Sequence, residues 1–213
     1  PGRVILLSLE GAGAIKVHPL AESLRQNGHR VQTFSLRATA EHAYARDQIK
    51  RAPDHNTAEW SLWLGRPLLG QWVTDVRAFL DARPTDGPTT LIGIGPAALV
   101  AVTAAAIDER VDHTVAIGLL ASYLSDVPYD RQRLGLIVPG MLPALGDIPQ
   151  LASLIAPRKL VVAGGVAGNG EPLTIEELRE QFRFAADVFR HAGATDNLRL
   201  LPATATGADL LQP

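Results

Sequence analysis

The segment Thr90-Leu91-Ile92-Gly93-Ile94-Gly95-Pro96-Ala97-Ala98-Leu99-Val100 reads as a buried strand, a sharp small-residue turn and an Ala-rich helix. The same grammar recurs along the chain. Val4-Ile5-Leu6-Leu7-Ser8-Leu9 ends at Gly11-Ala12-Gly13, Thr114 to Leu120 is a second buried run, and Lys159 to Ala163 ends at Gly164-Gly165. Strands that alternate with helices argue for a mostly parallel sheet covered on both faces, a three-layer α/β/α sandwich. The strands are expected at Val4, Val31, Leu91, Thr114, Leu160 and Leu198, with the alternating run from Arg30 to Leu36 nearer a sheet edge.

The helices carry their own punctuation. Pro19 to Asn27 spaces Leu20, Ser23 and Leu24 on one face ahead of Gly28, and Gly70 to Arg83 sets Val73, Val76, Phe79 and Leu80 at helical spacing. Ile148 to Ile155 suits a short helix with Pro149 in its first turn. Thr174-x-x-Glu177 is a capping box for a helix running to His191 and closed by Gly193. Two stretches lack such a pattern. Arg37 to Arg66 reads as a long irregular connection, of the kind that serves as a lid or binding loop. Tyr123 to Pro149, rich in Pro and Gly, is expected to pack over the sheet end without a clear element.

With 213 residues, 46% of them apolar and 20% charged, the chain is expected to form one globular domain, residues 1–213. It starts at Pro1 and holds one methionine, Met141, which reads as a fragment or module of a longer protein. A net charge of −2 with scattered basic residues points to no nucleic-acid or membrane-surface partner. The absence of cysteine excludes disulfides and thiolate metal sites.

Several further stretches fall in a recognisable order. They are Gly65-Arg66-Pro67-Leu68-Leu69-Gly70, Trp72-Val73-x-Asp75-Val76-Arg77 and Phe79-Leu80, then Ala104 to Val111, Asp147-Ile148-Pro149-x-Leu151 and Ala156-Pro157-Arg158-x-Leu160. Together they resemble the bacterial acetyl xylan esterase-like branch of the α/β-hydrolase superfamily, from Val4 onward. The resemblance implies an α/β-hydrolase-like domain; the family usually has additional antiparallel strands ahead of the position of Val4, and these are expected to be absent here or lost with the N-terminus. It also implies a secreted or periplasmic setting.

The chemistry implied by the resemblance is acyl transfer by a nucleophile, an acid and a histidine, in that chain order. The nucleophile's place in the elbow holds Gly95, which has no side-chain oxygen. The acid's place, Gly164 to Glu171, offers only Glu171, late in the stretch and beside Pro172. The histidine's place, Pro202 to Asp209, has none, and no histidine follows His191. The triad therefore reads as degenerate, the mark of a pseudoenzyme. Gly11, Ala12 and Gly13, with Pro96, lie where the family places its oxyanion-hole donors, although glycines there also serve a strand-to-helix turn.

Other constellations give weaker signals. Gly93-x-Gly95-x-x-Ala98 fits a dinucleotide fingerprint, but the next strand ends Leu119-Leu120-Ala121-Ser122 without a carboxylate, and Pro96 removes one N–H. No cofactor is expected. The six histidines (His18, His29, His42, His55, His113 and His191) are isolated, so no metal site is expected either. Ser122 is the candidate for a relocated nucleophile, against a plain turn role. Trp60 and Trp63 could line a ligand pocket on the long connection, whereas Trp72 reads as core. Arg66 has two readings, as the partner of a ligand carboxylate or of Asp75.

These residues favour a non-catalytic α/β-hydrolase-like domain with a binding or scaffolding role. Its partners would be a small ester or carbohydrate ligand, or other domains of the same polypeptide. The alternative is an active carboxylic-ester hydrolase that uses a relocated nucleophile or groups from elsewhere.

Overall fold

A computed structural model describes residues 2–130, 132–205 and 207–211. A strand forms at every expected position, β1 (Arg3–Ser8), β2 (Arg30–Thr33), β3 (Thr89–Ile94), β4 (His113–Ile117), β5 (Lys159–Ala163) and β6 (Leu198–Leu201), with β2 ending at Thr33 rather than Leu36 and β4 at Ile117 rather than Leu120. They form one sheet in the order β2-β1-β3-β4-β5-β6, with every neighbouring pair parallel. β3 is central, between β1 and β4, and the less apolar β2 is an edge strand.

Alternation along each strand splits the core into two layers, because successive side chains leave opposite faces of the sheet. Ile5, Leu7, Leu91 and Ala116 face one way, and Val4, Leu6, Ile92 and Val115 the other. The first layer is closed by α3 (His55–Trp63), α4 (Leu68–Ala82), α5 (Ala97–Ile107), α7 (Ile148–Ser153), α8 (Ile175–Gln181) and α9 (Arg183–His191). The second is closed by α1 (Gly11–Lys16), α2 (Pro19–Gln26) and α10 (Gly207–Leu210). Helices on both faces make the three-layer α/β/α sandwich. α5 is apolar all round, with Leu99, Val100, Ala101 and Val102 fully covered, as a helix packed between a sheet and other helices must be.

Local signals place several caps. Asp147 accepts the Ile148 N–H at 2.7 Å and closes a capping box with Gln150, and Pro149 sits in the first turn of α7. Thr174 and Glu177 form the capping box of α8.

Four expectations change. The connection from Arg37 to Arg66 contains α3, whose apolar stripe is missing because its buried face is Thr57, Ala58 and Ser61 while Trp60 and Trp63 are exposed. Non-local carboxylates hold it: Asp47 accepts the Thr57 N–H at 2.7 Å, and Asp54 accepts those of Leu134 and Gly135 at 3.0 and 2.9 Å. The run from Thr174 to His191 is two helices, broken at Phe182. The Tyr123–Pro149 stretch includes the one-turn α6 (Met141–Ala144). Asp75 pairs with Arg37 rather than Arg66, taking the Arg37 Nε at 2.9 Å and its backbone N–H at 3.0 Å. Among the described residues no helix is long and apolar enough to cross a membrane.

Candidate functional site

At the C-terminal end of β3 the chain turns sharply into α5. Gly95 has φ +59°, in the left-handed region that side chains disfavour. Its N–H donates to the Ile117 carbonyl at 2.8 Å, and its own carbonyl accepts the Ala98 N–H at 2.9 Å. A Cβ built on Gly95 meets no atom within 4 Å, so the turn presents open space where a side chain would stand. Two residues earlier the constraint is steric: a Cβ on Gly93 would lie 2.4 Å from the Ala97 carbonyl oxygen. Glycine at 93 lets α5 cross the strand closely. The strand-turn-helix is the geometry of a nucleophile elbow with glycine at its apex. The next residue, Pro96, has no N–H to donate.

The glycine-rich segment after β1 is the start of α1 rather than a free turn. Gly11 has φ +85°, and a Cβ there would lie 2.3 Å from that of Ala40. The Ala12 N–H donates to Ser35 Oγ at 3.0 Å, and the Ser35 hydroxyl in turn donates to Glu41. That hydrogen bond draws the exposed Glu41 carboxyl below its usual range. The segment 35–41 thus occupies an N–H that an oxyanion hole would leave facing its ligand. Gly13 lies within α1, with open space beside it.

The remaining positions are dispersed. Glu171 lies on the exposed loop after β5, where its N–H donates to Asn169 Oδ1 at 3.0 Å and its carbonyl accepts the Ala167 N–H at 2.9 Å. After β6, Ala203 and Thr204 form a turn leading to α10, and Thr206 lies outside the described residues. The Ser122 hydroxyl donates to Asp147, the cap of α7, and accepts the Leu124 N–H at 2.8 Å. Among the described residues no histidine ring nitrogen hydrogen-bonds a serine. His18 caps α2, His55 contacts Asn56, and His191 contacts the Asp187 carbonyl. No group of three or more metal-ligating side chains occurs among the described residues.

Near this end of the sheet is a cleft of about 400 Å³ between residues 49–55 on one side and residues 129–130 and 132–137 on the other. Leu120, Leu134, Leu136 and Ile137 give it an apolar wall, and Lys50, Arg51, Asp130 and Arg133 give it a charged one. Arg133 is tied to Glu10, just beyond β1, at 2.6 Å, and Arg51 to Asp130 at 2.9 Å. The Tyr123 hydroxyl donates to the Leu136 carbonyl at 2.7 Å, and burial pushes its pKa above the ordinary tyrosine range. Trp60, Trp63 and Arg66 are not in this lining; the two tryptophans are 53% and 73% exposed on α3. The Arg66 N–H and carbonyl cap the end of α3 against Ser61 and Gln71. Both walls fall in stretches whose general role the sequence predicts, the connection from Arg37 to Arg66 as a lid or binding loop and the Tyr123–Pro149 stretch over the sheet end. Apart from His55, no lining residue in them is singled out by sequence, because neither stretch has a motif or period.

No protein-family model matches the chain, and no curated protein matches it significantly. Solved structures do. A Bacteroides fragilis protein assigned as an acetyl xylan esterase superposes over 96% of this chain with a TM-score of 0.70 at 12% identity. A family 15 carbohydrate esterase, a glucuronoyl esterase from Caldicellulosiruptor kristjansonii, matches 96% of it at 0.61 and 17% identity. A Klebsiella pneumoniae structure assigned as a dienelactone hydrolase matches 95% at 0.55 and 14% identity. The matched regions cover 59%, 63% and 72% of those chains, so this sequence spans less than two thirds of the first two. At such identities the likeness is one of fold. The fold of this chain is that of the α/β-hydrolase-type esterases.

Proposed function

We propose that this is a non-catalytic α/β-hydrolase-like domain with a degenerate triad, serving as a binding module. One observation carries the reading: the elbow keeps its left-handed apex and the open space above it, yet the apex is Gly95. Ester cleavage needs a nucleophile, a base within hydrogen-bond reach and donors aimed at the oxyanion. Gly95 supplies no nucleophile, Pro96 no donor, and Ala12 one already engaged by Ser35. The relocated nucleophile of an active esterase would be Ser122, but its hydroxyl is held by Asp147 rather than a histidine.

The binding surface is the cleft that Leu120, Leu134, Leu136 and Ile137 wall. Its apolar wall, with Lys50 beside the ion-paired Arg51 and Arg133 on the rim, suits a small ester or acid with an apolar body better than a bare carbohydrate. Other domains of the same polypeptide are the alternative partner, in a scaffolding role. Incubation with a fluorophosphonate probe and with p-nitrophenyl acetate tests the reading. No labelling and no turnover above buffer are expected, and stoichiometric labelling of any serine overturns it.

A further inference from the structure

The opposite end of the sheet, where β1 and β2 begin, carries an arrangement that the elbow does not use. Arg3 and Arg30 are register partners at the starts of β1 and β2, so their backbones are one strand spacing apart. The chain after α4 brings Arg83 beside them. These three arginines, with Gln32, Pro84 and Thr85, line a cleft of about 280 Å³.

Arg3 is only 7% exposed. Its Nε and Nη2 donate to Thr89 Oγ1 at 3.2 and 3.0 Å, and its Nη1 donates to the Arg83 carbonyl. The Arg83 guanidinium stacks over Phe79, 4.4 Å from the ring centre. None of the three arginines forms a salt bridge among the described residues, and no carboxylate lines the cleft. Burial and the nearby Arg110 and Arg30 cations lower the pKa of Arg3, as expected where positive charges crowd without a counter-charge. Gln32 Oε1 is also buried and has no hydrogen-bond partner. A buried cation is ordinarily paired, and an orphaned buried acceptor is costly. Both deficits are met by one kind of group. It must carry more than one negative charge, offer several acceptor oxygens to guanidinium forks, and be able to hold a proton.

We propose that this cleft binds a phosphate group, as inorganic phosphate or on a small phosphate monoester, through Arg3, Arg30 and Arg83. Guanidinium forks match phosphate oxygens two at a time, and a phosphate spreads three free oxygens toward three arginines. A carboxylate offers two oxygens and one charge. A protonated phosphate oxygen donates to Gln32 Oε1, and the Thr85 hydroxyl lies in the same wall. This site is independent of the elbow and of the proposed loss of catalysis.

Calorimetric titration and ³¹P line broadening with inorganic phosphate, glycerol 2-phosphate and acetate test it on the whole chain at low ionic strength. Saturable binding of at least one phosphate is expected, with acetate weaker by about tenfold or more. Tighter binding of glycerol 2-phosphate assigns a monoester, and the reverse assigns free phosphate. Arg30→Gln and Arg83→Gln alter exposed side chains and spare the Arg3–Thr89 contact, so both variants are expected to fold. Each should weaken phosphate by about tenfold or more; Arg30→Gln should leave the melting temperature of the unliganded protein unchanged, whereas Arg83→Gln, which gives up its stacking on Phe79, should lower it slightly. The proposal is overturned by no saturable response up to about 10 mM, by acetate binding as well as phosphate, or by affinity indifferent to both substitutions.

Discussion

Gly95 and Gly118 face each other across the C-terminal ends of β3 and β4, both with left-handed backbones, and a Cβ on Gly118 would lie 3.6 Å from the Gly95 Cα. The pair leaves the apex of the elbow bare on the side toward β4. A side chain added at Gly95 meets no atom, so its cost is backbone conformation rather than collision. Gly95→Ser should therefore fold, with a stability loss of about 1–2 kcal/mol in urea titration. It should not become an esterase, because no histidine follows His191 to take the hydroxyl proton where the resemblance puts the base. A p-nitrophenyl acetate turnover of about 1 s⁻¹ or more for the folded variant would show an unrecognised base.

Gly93→Ala is the contrasting substitution. Its Cβ would sit 2.4 Å from the Ala97 oxygen and 2.6 Å from the Ala98 Cα, both backbone atoms that cannot swing aside. The helix would have to lift from the central strand, at a cost of about 3 kcal/mol or more. A Gly93→Ala chain as stable as Gly95→Ala by chemical denaturation would contradict this packing.

Asp147 joins two segments by accepting from Ser122, from the Tyr123 N–H at 2.7 Å and from the Ile148 N–H at 2.7 Å. Asp147→Ala removes a helix cap and strands two further donors, so a loss of about 2–3 kcal/mol is expected in equilibrium unfolding. Ser122→Ala should cost less, about 1 kcal/mol, and leave any background hydrolysis unchanged. A Ser122→Ala protein that lost a measurable esterase activity would restore the relocated-nucleophile reading.

His113 gives the fold a pH dependence. Burial, with the Lys159 and Arg199 cations, lowers its pKa from 6.5 to about 4, and its Nε2 is buried without a partner. Between those values the unfolded chain binds a proton that the folded chain refuses, so stability falls as the pH drops from about 6.5 to about 4. The loss is on the order of 2–3 kcal/mol. Urea midpoints measured from pH 7 to pH 4 should show this slope, and His113→Leu should flatten it. An unchanged slope in that variant would assign the effect to other groups.

The strands were legible because their signal is local. Val4, Leu91, Thr114 and Leu160 begin runs apolar on both faces, which only a sheet covered by helices can bury, and the caps at Asp147 and Thr174 use residues within one turn. Glycine at 95 is also a sequence fact, and so is the missing histidine after residue 191. α3 was not legible, because its inward residues Thr57, Ala58 and Ser61 are small or polar, and the carboxylates that hold it act from Asp47 or tie it to Leu134 and Gly135. The competition for Asp75 was decided the same way. Both Arg37 and Arg66 are plausible partners by chemistry, and only the approach of the chain after β2 to α4 selects Arg37. Tertiary structure alone made the two clefts, one from residues 49–55 with 129–130 and 132–137, the other from Arg3, Arg30 and Arg83. Periodicity and caps are read within a few residues, whereas a site built from segments some eighty residues apart exists only once the sheet sets their register.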